Sequence, residues 1–145
     1  MLRRPVRSSA LAALAVGTIA LVTGCLPFNS QEEYLFNKTN ELRRSEHVHA
    51  MGGMDELTQR ARDWARTLAD RQSLAHSDIR TIEPAWTAVG ENVGRSDTIE
   101  HVYVLLERSP EHRANMVDPT YTRTGVGTAR GRDGMVYAVQ LFWAG

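Results

Sequence analysis

The chain has a single cysteine, Cys25, so no intramolecular disulfide can form and any fold must stand on its own hydrophobic core. Roughly 115 residues follow position 30, a length that buries some 60–70% of its unfolded surface, which is enough for one domain. The 24 residues before the cysteine differ in kind from the rest. They carry Arg3, Arg4 and Arg7, no acid, and an apolar run from Ala10 to Val22. A basic start followed by a short apolar run is the pattern of an export signal. At 13 residues the run would span about 20 Å as a helix, short of the roughly 30 Å of a bilayer core.

Val22-Thr23-Gly24-Cys25 places small residues directly before the thiol, the pattern of a lipobox, where a bacterial lipoprotein is acylated on the cysteine and cleaved before it. The alternative is an ordinary signal followed by a free thiol, but a lone cysteine at the end of an apolar run has little structural use. This reading divides the chain into a signal (1–24), a short tether from the lipidated Cys25 (25–30) and one folded domain (31–145). It places the protein on the extracytoplasmic side of the cell membrane, held by lipid.

Charge limits the partners. The whole chain has 17 basic and 17 acidic residues, and removing the leader leaves 14 against 17, a net charge of −3. No basic stripe for nucleic acid is expected. Nor would the protein be attracted electrostatically to an anionic bilayer, so acyl chains would have to hold it there. A monomer is expected.

Along the mature chain, Leu35, Lys38-Thr39 and Leu42 sit at helical spacing, and Ser30 with Glu33 forms a capping-box pattern. Ser45 to Gly53 reads as a connection. Leu57, Ala61, Trp64, Ala65, Leu68 and Ala69 form one apolar stripe of a second helix, with Trp64 in the core. A third helix opens at Asp97, paired with Glu100. Ser109-Pro110 starts a short fourth, with Ser109 as its cap. Thr124–Ala129 and Met135–Trp143 read as strands, the second apolar on both faces. Helices around such strands imply an α/β (α+β) fold, a three-layer α-β-α sandwich with a short antiparallel sheet.

Three polar residues fall where turns can aim them: His76 after the second helix, Glu91 between Gly90 and Asn92, and His112 in the first turn after Ser109-Pro110. Two imidazoles and a carboxylate suit a divalent cation such as zinc with an open position. They equally suit a pH-sensitive acid–base cluster, or a structural network. His47 and His49 read as solvated loop and His101 as surface. Asn92 reads as fixing the Glu91 loop, and Arg113 and Asn115 as bracing the short helix.

The residues Asn40-Glu41-Leu42-Arg43, Leu74-Ala75-His76-Ser77, Gly90-Glu91-Asn92-Val93, Ser109 to Met116, and Tyr121-Thr122 through Gly125-Val126-Gly127 follow one another in order. Together they resemble a bacterial member of the CAP superfamily, the group of cysteine-rich secretory, antigen 5 and pathogenesis-related proteins, over nearly the whole mature domain. The resemblance implies an α-β-α sandwich and a surface cleft of two His and two Glu. His76, Glu91 and His112 match three of these. The second Glu has no clean match; Glu107 and Glu111 lie near in sequence, and Glu111 is taken as the fourth cleft residue. His76 and His112 are the candidate metal ligands. The implied function is a non-enzymatic binding module for a cation, a small amphiphile or a glycan. The alternatives are a metal-dependent hydrolase of peptide or cell-wall material, working through metal-activated water, and a structural protein of the envelope.

Overall fold

The computed structural model describes residues 27–82 and 85–145; the signal read at 1–24 and Cys25 lie outside the described residues. Helix α1, Ser30–Ser45, starts one residue earlier than its sequence pattern suggests. The cap is Asn29, whose side chain accepts from Gln31 N and Glu32 N, and Glu32 reaches back to the Asn29 N–H in place of Glu33. Glu32 also binds Arg62 from a fully buried position, and that pairing selects it over its exposed neighbour.

Strand β1, Gly52–Gly53, follows, then α2, Asp55–Arg71. Strand β2 spans Ala88–Ser96, α3 Ile99–Arg108, α4 Pro110–Val117, β3 Arg123–Arg130 and β4 Val136–Ala144. Helix α3 is capped by the Thr98 side chain, not by Asp97, whose carboxylate accepts from Ser96 and the Thr98 N–H instead.

The sheet runs β1-β3-β4-β2. Both long pairs, β2 with β4 and β3 with β4, are antiparallel, but β1 joins β3 in parallel. The sheet is therefore mixed, because two glycines in a stretch read as a connection supply a short edge strand.

One apolar cluster joins α1, α3 and α4 to one sheet face through Val126, Val136, Ala138 and Phe142. A second joins α2 to the other face through Val93, Tyr137, Val139 and Leu141. The alternating residues of β4 are divided between the two clusters, so both faces of that strand are buried. The outcome is a three-layer α-β-α sandwich of α+β class. Helix α2 lies backbone to backbone on β3: a Cβ at Gly125 would strike the Leu57 and Thr58 main chain, and one at Gly127 that of Ala61 and Arg62. Arg43 is fully buried near the end of α1 and donates to the carbonyls of His49, Met116, Asp118 and Tyr121, all at 2.8–2.9 Å. Burial draws its guanidinium below its usual value, opposed by the nearby Asp118 carboxylate. This side chain ties α1 to the segment that carries α4 into β3.

Candidate functional site

The loop bearing His76 is gripped by α2 on both sides. Gln72 ends that helix in the left-handed region (φ 52°), and the indole N–H of Trp64 donates to Ala75 O at 2.9 Å. Trp64 is thus only partly buried: its ring packs on the core while its nitrogen sets the approach to His76. Beyond the histidine, Arg60 binds Asp78 O at 2.7 Å and the Thr81 hydroxyl at 2.6 Å.

Glu91 sits on the edge strand β2 with its side chain 1% exposed. One carboxylate oxygen accepts from His76 Nδ1 and from the Ser77 N–H, both at 2.8 Å; the other accepts from the Ser77 hydroxyl at 2.5 Å. A carboxylate only accepts, so His76 donates from Nδ1, and in the neutral ring Nε2 is then left as a lone pair. That imidazole is 64% exposed.

His112 is placed by a different route. Its Nδ1 lies 2.8 Å from the Ser109 oxygen, and Ser109 donates its own proton to Glu111 Oε2 at 3.2 Å. Ser109 occupies the cap position between α3 and α4, but its side chain makes no capping bond. The cap reading of the hydroxyl is thereby corrected: it is engaged by His112 and Glu111 and not by the N–H groups of the first turn of α4. The relay puts the His112 proton on Nδ1 and, again, a lone pair on Nε2. Partial burial holds the His112 pKa below its ordinary value, and the charge His76 would carry lowers it further, against a smaller opposing effect of Glu111. Of the two acids near in sequence, Glu107 is bonded to Tyr103, whose hydroxyl burial and that acid push up to about 12. Glu111 is exposed and reaches His112 through Ser109.

A cleft of about 340 Å³ passes over the β2 edge beside His76 and Glu91, with Ser77, Val89, Asn115 and Tyr121 also among its walls; His112 and Glu111, expected to line it, are not among the described residues that do. Sequence reasoning missed Tyr121. Its ring stacks on Phe142 at 5.4 Å, and its hydroxyl comes close to Gly90, where a Cβ would stand 2.6 Å away. Burial, with the Asp118 carboxylate, raises that hydroxyl above the usual tyrosine value.

A buried polar chain, also missed, fixes the floor. Asn115 donates to Asn92 Oδ1 at 2.9 Å. Asn92 donates to His112 O (3.0 Å) and to Gln140 (3.2 Å), and Gln140 to Thr39 (2.8 Å). Asn92 therefore positions the main chain of His112 as well as its own strand. The signal for it was Gln140, a fully polar side chain within the apolar strand β4.

Other predicted residues lie apart. His49 Nε2 is 3.2 Å from Tyr121 O, His101 bonds Ser96 and Asp97, and Arg113 pairs with Glu46. Among the described residues, no three His, Cys, Asp or Glu side chains form a group able to hold a metal ion. Nor is any helix among them long and apolar enough to cross a membrane.

A mixed four-stranded sheet between helical layers, with a histidine–carboxylate cleft at its edge, defines the class of protein. The chain belongs to the cysteine-rich secretory protein family, CAP, whose family model matches residues 36–142. Its fold is similar to an outer surface protein of Borrelia burgdorferi (16% identity, 82% of this chain and 96% of that one, TM-score 0.72). It is similar also to an extracellular protein containing an SCP domain from Bacillus anthracis (17% identity, 79% of this chain and 40% of that one, TM-score 0.62). A third similar structure is NaASP2 with Zn2+ (14% identity, 82% and 83%, TM-score 0.61). No curated protein matches the chain.

Proposed function

We propose that this protein is a lipid-anchored, extracytoplasmic binding module without enzymatic activity, and that its cleft holds a divalent cation through His76 and His112. The observation that carries the cleft reading is the shared state of the two imidazoles: each has Nδ1 turned into a hydrogen bond, leaving Nε2 as a lone pair. Two nitrogens are one fewer than the three protein ligands usual in catalytic zinc sites, and both Glu91 oxygens are already engaged. That favours exchangeable binding, completed by water or a small polar ligand, over metal-assisted hydrolysis. Neighbours described as an outer surface protein, as extracellular and as zinc-containing support the placement and the cation. Anchorage rests on Cys25 at the end of its apolar run.

Isothermal titration of zinc into the wild type and into the His76→Ala/His112→Ala double variant tests this reading. Heat of binding is expected from the first and not from the second; equal heats set the cation aside. A second reading, in which the cluster only braces the loop, is favoured by the complete satisfaction of Glu91. It prevails if the double variant melts far lower yet complements a deletion strain.

A further inference from the structure

The residues that enter the domain are clamped. Pro27 O accepts from Arg62 Nη2 at 2.8 Å, and the same guanidinium makes two bonds, of 2.9 and 2.6 Å, to the buried Glu32. Glu32 in turn holds the Asn29 N–H at 2.9 Å. The clamp holds the main chain at Pro27 and Asn29, within the segment expected to be a short tether. Cys25 precedes Pro27 by two residues, so the two Cα atoms are no more than about 7 Å apart by chain geometry alone.

Beside Pro27 lies an apolar groove of about 250 Å³, with Phe28, Phe36, Gly53 and Met54 among its walls and Asp55 as the one charged residue among the described residues that line it. The Phe28 and Phe36 rings are 5.0 Å apart, and Phe28 lies over Gly53, where a Cβ would be 3.6 Å from the ring. The two rings pack against the cluster under α1, and Met54 against the cluster under α2, so the groove opens at the seam between the layers. It includes β1, whereas the cleft includes β2, and these strands are the two opposite edges of the sheet.

We propose that one acyl chain of a lipid attached at Cys25 folds back into this groove. This rests on the anchorage reading above. The groove has the volume of about eight liquid waters at roughly 30 Å³ each, which suits a segment of acyl chain and not a whole one. The occupant is singled out by the chain itself: the clamp holds Pro27 in the groove wall, two residues along the chain from the attachment point, so the lipid reaches the groove at high effective concentration. With the chain seated, the β1 edge faces the bilayer and the β2 edge, with its cleft, faces away.

The test uses the full chain, isolated from membranes with methionine methyl groups labelled, in fully deuterated detergent. Intact mass first reports acylation of Cys25; an unacylated protein overturns both this proposal and the anchorage. In acylated protein, contacts (nuclear Overhauser effects) are expected from acyl-chain protons to the Met54 methyl and not to that of Met135, and they are lost in Cys25→Ser. Acylated protein without the Met54 contact overturns the groove and leaves the anchorage standing. Cys25→Ser showing the same contact with protonated detergent makes the groove a general amphiphile site, and this also overturns the proposal.

Discussion

Ser109 shows how much of the site depends on single protons. Its hydroxyl has one proton to give, and Glu111 takes it, so the lone pair left over holds His112 by Nδ1. The neutral ring is favoured twice over, by partial burial and by the charge His76 would add. The linkage sign follows. With the folded pKa depressed, the unfolded chain binds the proton at a higher pH than the folded one. The stability contributed by neutral His112 is therefore complete above its ordinary value near 6.5 and is lost as pH falls through the depressed value. His76→Asn removes the charge that lowers this pKa, leaving burial alone to lower it, so the His112 ring should titrate at higher pH in that variant, read from its NMR shifts. An unchanged His112 titration would mean that the two rings do not sense each other. His76, Glu91 and His112 were legible because turn residues flank them and a family resemblance supported them. Tyr121, Thr39 and Gln140 were not, since a neutral polar or aromatic residue in an apolar pattern reads as core until its partner is known.

At the scale of elements, the decisive contact is α2 on β3. Gly125 and Gly127 have no room for a side chain because the helix backbone occupies the space. Gly127→Ala should push α2 outward and destabilise the domain by about 3 kcal/mol, the upper part of the range for overpacked cores. Chemical denaturation measures this directly, and a change below about 0.5 kcal/mol would show that the helix shifts at little cost. The effect should extend to function, since α2 also holds the His76 loop through Trp64 and Arg60. The apolar stripe of α2 and the strand period of β4 made both elements readable in advance. Strand β1 was not readable, because two glycines carry no period and pair only through their main chain. The caps of α1 and α3 slipped by a residue for a related reason: Asn29 competes with Ser30, and Thr98 with Asp97. Tertiary partners settled the first, since Glu32 binds Arg62. At the second, the Asp97 carboxylate is held by Ser96 and the Thr98 N–H.

The whole molecule has two distinct edges. One carries Pro27, the clamp and an apolar groove; the other carries His76, Glu91 and an open cleft. Residues 25–145 carry 14 basic and 17 acidic side chains, a net charge of −3 that offers the bilayer no attraction, so on the proposed anchorage the lipid alone holds the domain there. A single acyl chain in the bilayer gives only marginal, reversible attachment, so with one chain seated in the groove this arrangement requires at least two more at Cys25. Cys25→Ser should then move the protein from the membrane fraction to the soluble fraction. The domain's melting temperature should stay unchanged apart from any contribution of the seated chain, because among the described residues the core clusters begin at Phe28. Fractionation and thermal melts of both forms check this. Retention of Cys25→Ser on washed membranes would place the anchor elsewhere. A collapse of its melting temperature would mean that the lipid forms part of the core and does more than tether it.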